Sequence, residues 1–237
     1  MPIQSRNRTL ARPGSPARSM VASVAVASAL FAALFLSPPQ SCAAEQNPQV
    51  RVTTNMGDFV IELLPDRAPL TVANFLRYVR EGYYSDTLIH RVVANFVIQG
   101  GGHDAADYKL KPVHEAVVNE AGNGLQNKRG TVGLARGESP HSGNAQFYVN
   151  LVDNPDLDPL PTRWGYTVFG RVVQGMDVAD RIGVTPTGAT GPFKSDAPLK
   201  PVIVQKVELV DAATAPVSAP RTPPVTPPSS DAILSPK

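Results

Sequence analysis

The period of its apolar residues constrains this chain more than any other feature. Between Gln49 and Leu209 they recur in short β-forming runs ended by turn residues. Gln49–Thr54 alternates, Asn55-Met56-Gly57-Asp58 supplies a turn signal, and Phe59–Leu64 follows, which reads as a hairpin. Further runs lie at Thr87–Val93, Phe96–Gln99, Thr131–Leu134, Phe147–Leu151, Thr167–Val173 and Val202–Leu209. Two stretches break the pattern. In Thr71–Glu81, Val72, Phe75, Leu76 and Val79 fall at i, i+3, i+4 and i+7 on one helical face, and Gly82 supplies a stop. Gly175–Ile182 can place Met176, Val178, Ala179 and Ile182 on one side of a second helix. Many short strands with two helices predict a mainly β domain, a closed or nearly closed antiparallel barrel capped by the helices. Asn95 and the glycines at 100–102 interrupt regular structure, which predicts a tight backbone approach there.

The two ends differ from this middle. Residues 1–43 hold four arginines, no acidic residue and the uncharged run Met20–Leu36, followed by Ser41-Cys42-Ala43. A basic region, an apolar run and a small-residue site in that order predict an export signal cleaved after Ala43. Pro38 and Pro39 end any helix there, and the run is short of the roughly 20 apolar residues that span a bilayer. The expectation is a periplasmic protein with no stable membrane insertion after cleavage. Residues 212–237 carry seven of the 24 prolines and no helical or strand period, and are expected to form a disordered tail. Residues 44–211 remain as one domain, large enough for a sizeable core.

Charge and residue chemistry remove several classes. The formal charge of +2 comes from the amino terminus; without Arg6, Arg8, Arg12 and Arg18 the chain has 18 basic against 20 acidic residues. Nucleic-acid binding is therefore not expected. The single Cys42 rules out a disulfide framework and a cysteine-based zinc cluster. His90, His103, His114 and His141 include no i, i+4 pair, and Asp153, Asp156 and Asp158 fail the calcium-loop spacing. No nucleophile elbow or phosphate loop is present, so no metal and no cofactor is expected.

One segment stands apart: His90-Arg91-Val92-Val93-Ala94-Asn95-Phe96-Val97-Ile98-Gln99-Gly100-Gly101-Gly102. Read as a strand, Phe96 to Gln99 puts Phe96 and Ile98 on one face and Val97 and Gln99 on the other. The segment resembles the HR-x-x-x-x-F-x-x-QGG signature of the cyclophilins, a family of peptidyl-prolyl cis-trans isomerases. Gly133-Leu134-Ala135-Arg136, Ala145-Gln146-Phe147-Tyr148, Leu157-Asp158 and Val168-Phe169-Gly170-Arg171-Val172 resemble later motifs in the same order. The likeness covers roughly Val50 to Leu209. Asn119 to Thr131 and Trp164-Gly165-Tyr166 are similar to the periplasmic cyclophilins of Gram-negative bacteria, in line with the export signal.

The resemblance implies an eight-stranded antiparallel closed β-barrel capped by two α-helices, and a protein, expected to be a monomer, that acts on proline-containing segments of folding chains. It assigns the catalytic positions to Arg91 and Gln99. It implies a proline pocket of Phe96, Val97, Tyr148 and Leu157, polar contacts from Gln99 and Gln146, a peptide-bearing strand at Ala135 and Arg136, and a pocket edge at Tyr166. The chain departs from the family at Tyr148, where most members have phenylalanine, and at Asp156, usually tryptophan or phenylalanine. Arg136 and Tyr166 are usual for the bacterial group. Two functions follow: an isomerase assisting the folding of exported proteins, or a non-catalytic peptide-binding or chaperone module using the same pocket.

Overall fold

A computed structural model describes residues 46–210. The expected export signal with Cys42 and the expected tail lie outside the described residues. β1 (Gln49–Thr54) and β2 (Gly57–Leu63) form the hairpin, with Asn55-Met56 alone as its loop. The second strand starts at Gly57, two residues before the expected Phe59, because Thr54 pairs directly with Gly57. Asn55 also bonds Pro201 and Ile203, which pins this turn to the last strand.

The chain continues through α1 (Pro69–Arg80), β3 (Thr87–Leu88), β4 (Arg91–Val93), β5 (Val97–Gly100), β6 (Thr131–Leu134) and β7 (Phe147–Asn150). β8 (Val168–Gln174), α2 (Met176–Gly183), β9 (Thr187–Thr190), β10 (Phe193–Pro198) and β11 (Ile203–Leu209) complete it. Nine strands form one antiparallel sheet in the order β3-β11-β1-β2-β8-β6-β7-β5-β4. Its edge strands β3 and β4 are separated only by Ile89-His90, so the sheet curls until its edges meet. The expected run Thr87–Val93 is thus two strands, which makes nine where eight were expected.

The glycines at 100–102 lie where this seam closes. Gly101 donates its N–H to the Leu88 carbonyl at 3.2 Å. A methyl on Gly100 would stand 2.7 Å from that same carbonyl oxygen and 2.6 Å from Ile89 Cδ1. Only a residue without a side chain fits there.

Rows of cross-strand partners sort the side chains. Val92 pairs with Ile98, Ile98 with Val149, and Val149 with Val132, and all four are buried. This is the core face of the sheet. From α1, the buried Phe75 packs at 5.1–5.7 Å on Tyr84, Phe147 and Phe169. α2 buries Val178, Ala179 and Ile182.

α1 begins at Pro69, and Ala68 before it offers no side-chain cap. Glu120 supplies one from fifty residues away. Its carboxylate accepts from the Leu70 and Thr71 N–H groups at 3.1 and 2.8 Å and from the Thr71 hydroxyl at 2.7 Å. An acid there satisfies orphan donors and faces the positive helix end. Glu120→Ala should therefore lower stability by about 1–2 kcal/mol in urea unfolding, the scale of a lost cap. An unchanged midpoint would mean that water replaces the carboxylate at no cost.

The β9–β10 hairpin forms a separate two-stranded sheet that the residue pattern did not announce. Its Phe193 packs on His90 and His103, at 5.6 and 4.8 Å between ring centroids, beside the seam. His90 Nδ1 is buried without a partner among the described residues, and the His103 ring lies 4.5 Å away. Burial first, then His103 and Arg91, outweigh a bond to the Leu88 backbone and push the His90 pKa down to about 4. The native state therefore stays neutral where an unfolded histidine, near 6.5, takes up a proton. Stability is complete above pH 6.5 and falls as pH drops toward 4, by roughly 2–3 kcal/mol from this group. Urea midpoints of wild type and His90→Gln should converge over that window; parallel curves would show that His90 is not the source.

Candidate active site

The register builds the site in one row across four strands. Arg91 on β4 pairs with Gln99 on β5, Gln99 with Tyr148 on β7, and Tyr148 with Gly133 on β6. Partners in a row point to the same face. This row is one step from the buried valine and isoleucine row, so it faces outward. Gly133 completes it with no side chain, and Tyr148 lies over the vacancy. A methyl on Gly133 would collide with the Tyr148 ring and hydroxyl.

Around this row lies a cleft of about 300 Å³. Arg91 and Gln99 form one side. Phe96, Val97, Tyr148 and Leu157 supply apolar walls, and Ala135, Arg136 and Tyr166 form the opposite side. Phe96 is not in a strand, contrary to expectation. It closes a three-residue turn, Ala94-Asn95-Phe96, in which Asn95 takes a left-handed φ of 56°. Freed from strand alternation, Phe96 shares the cleft with Val97 and Gln99 while Ile98 enters the core. Gln146 does not line the cleft. It stands behind Gln99, whose amide donates to its Oε1 at 3.1 Å.

The two arginines have different work. Arg91 makes one side-chain hydrogen bond among the described residues, a long 3.4 Å contact to Gln99 Oε1, and lies 5.8 Å from the Phe96 ring centroid. Most of its donors face the cleft uncommitted. Arg136 is occupied. It donates to the carbonyls of Gly137, Glu138, Trp164 and Gly165, and its guanidinium stacks 4.4 Å over Tyr166. Arg136 thus fastens a wall, and Arg91 is the one available to a ligand. Among the described residues no carboxylate lines the cleft, so their field favours groups with negative character, such as a peptide carbonyl.

Leu157 ends a one-turn 3-10 helix, Pro155–Leu157, and its carbonyl accepts from Tyr166 N–H at 2.9 Å. Asp156 in the same turn is exposed and is not a lining residue. Trp164 does not take its place. It lies half-exposed against His141 and lines a neighbouring groove with Leu160 and Pro161.

Tyr148 is almost fully buried, and its hydroxyl donates to Asn127 Oδ1 at 2.6 Å. Burial holds its pKa well above the ordinary value, so the phenol stays neutral. Asn127 lies within the bacterial-type Asn119–Thr131 motif, but nothing in the sequence ties it to the pocket.

A family model described as cyclophilin type peptidyl-prolyl cis-trans isomerase matches residues 49–209. Peptidyl-prolyl cis-trans isomerase B of Escherichia coli is 48% identical over 157 residues, covering 65% of this chain and 94% of that protein. Peptidyl-prolyl cis-trans isomerase A of Dickeya dadantii is 41% identical over 168 residues, covering 71% and 87%. A cyclophilin-type isomerase from Cryptosporidium parvum has the same fold, with a TM-score of 0.59 at 23% identity, covering 70% of this chain and 98% of that one. The chain belongs to the cyclophilin-type peptidyl-prolyl cis-trans isomerases.

Proposed function

We propose that this chain catalyses rotation about X–Pro bonds in exported proteins as they fold, with Arg91 stabilising the twisted amide beside an apolar proline cup. An X–Pro bond turns slowly because partial double-bond character sets a barrier of about 18–20 kcal/mol. No covalent bond has to break, so the site needs neither nucleophile nor metal. It must bind the twisted amide better than either planar form. In the twisted state the proline nitrogen regains its lone pair and the carbonyl oxygen changes its charge. A guanidinium fixed beside the bond can donate to either atom.

The observation that carries this reading is the uncommitted Arg91 fork at the mouth of the cup, with every lining side chain either apolar or neutral apart from the two arginines. Phe96, Val97, Tyr148 and Leu157 would hold the proline ring while the preceding carbonyl turns past Arg91. Gln99, bonded to both Arg91 and Gln146, would orient the guanidinium and meet substrate backbone. Ala135 and Arg136 would flank the peptide, with Tyr166 at the edge.

Export rests on the basic region, apolar run and small-residue site before Ala43. Refolding of a protein limited by proline isomerisation tests the activity. Catalytic amounts of this chain should shorten its slow phase, and an unchanged phase would contradict the proposal. Mass spectrometry of the exported protein should find its amino terminus at residue 44; an intact or lipid-modified terminus would contradict soluble periplasmic export.

A further inference from the structure

Asn127 lies outside the cleft and is buried, yet it bonds to several of the elements that build it. Its backbone N–H and side-chain amide both donate to Asp158 Oδ1, at 2.7 and 2.9 Å. Its own side-chain oxygen accepts from the Tyr148 hydroxyl at 2.6 Å and the Asn150 amide at 3.3 Å. Its carbonyl accepts from the Asn154 N–H at 2.8 Å. Asn154 then donates to the Phe96 carbonyl at 3.1 Å and to Asn150 Oδ1 at 2.7 Å. Three cup residues, Tyr148, Leu157 beside Asp158, and Phe96, are tied to one buried polar chain.

The chemistry of that chain fixes its direction. An ionised carboxylate only accepts, so the Asn127 amide nitrogen must face Asp158 and its oxygen must face Tyr148. The Tyr148 hydroxyl must then donate, and its hydrogen points toward Asn127. We propose that Asn127 is a positioning residue for the proline cup. By taking the Tyr148 hydroxyl it holds the ring flat as an apolar floor where most family members have phenylalanine. Without that acceptor a buried hydroxyl loses its partner, and the ring must turn toward the cleft or toward water to regain one. The Asp158 side would survive, because the backbone N–H of residue 127 still reaches its carboxylate.

The inference rests on reading the cleft as the proline site, and its test separates the two. Affinity for an Ala-Pro peptide is measured by NMR titration, and turnover by exchange on the same samples. Asn127→Ala should weaken peptide binding about fivefold or more, with the loss in kcat/KM carried mainly by KM. In a Tyr148→Phe background, where no hydroxyl can be orphaned, the same substitution should change affinity less than twofold. Asn127→Ser, too short to hold the hydroxyl in place, gives the same comparison if the alanine variant does not fold. Equal losses in both backgrounds, or a folded Asn127 variant with unchanged affinity, would overturn the proposal and leave Asn127 a structural residue only. Peptide binding without turnover in the wild type would count against the isomerase reading, while the affinity comparison would still decide the role of Asn127.

Discussion

Arg91→Ala is expected to lower isomerisation by on the order of 10²–10³-fold, the scale of losing one preorganised donor at a developing charge. Affinity for a proline peptide should change far less. On the proposed mechanism the cup would hold the planar ground state, and the guanidinium would act mainly on the twisted bond. Arg91→Lys should recover little of the loss. A lysine brings the charge but not the planar fork, and its ammonium cannot contact the amide and Gln99 Oε1 in the same geometry. The fold should survive either change, since Arg91 lies on the outward row and its one side-chain bond among the described residues is long. Exchange rates and binding constants from one peptide check both halves. Wild-type turnover in Arg91→Ala would remove Arg91 from the mechanism.

Gly133→Ala should disable the cup from the other end of the same row. The added methyl meets the Tyr148 ring and hydroxyl, and the open direction left to that ring is the cleft itself. Its hydroxyl is held by Asn127 and its ring lies edge-on to Tyr166 at 6.1 Å. Overpacking of this kind costs about 1–3 kcal/mol in stability. Whatever part is relieved by turning Tyr148 should appear as at least tenfold weaker peptide binding. Urea unfolding and titration together divide the effect. Unchanged stability with unchanged affinity would mean that the ring yields freely and that the vacancy at Gly133 has no role in shaping the floor.

These features are legible in the sequence to different degrees. Alternation marks β1, β-forming runs ended by turn residues mark the other barrel strands, several of them buried on both faces, and the helical period marks α1 by burial on one face. The split of Thr87–Val93 was not legible. Nothing at Ile89-His90 marks a break by composition, and the break follows from sheet closure, a long-range event. The β9–β10 hairpin is not legible in the sequence because Gly188, Gly191, Pro192 and Pro198 dilute its β-formers, and Phe193 meets two histidines that are distant in the chain. The β-forming run predicts Phe96 in a strand, but Asn95 before it makes a turn, and that turn carries Phe96 into the cleft. The cyclophilin signature brought Arg91, Gln99 and the apolar set into one list. It could not align β5 with β7, nearly fifty residues apart, so the shared row of Arg91, Gln99, Tyr148 and Gly133 appears only with the register. Asn127 was hidden for the same reason, since its partners Tyr148 and Asp158 are distant in sequence.

The central claim is that this cleft turns X–Pro bonds and does not merely hold them. Exchange NMR on an Ala-Pro peptide tests it directly. Uncatalysed interconversion takes tens to hundreds of seconds. With protein present well below the peptide concentration, the cis-to-trans exchange rate should rise in proportion to protein added, and Arg91→Ala should return it nearly to the uncatalysed value. Peptide resonances that shift on binding while cis and trans continue to exchange at the uncatalysed rate would contradict the account and make the cleft a binding site without turnover.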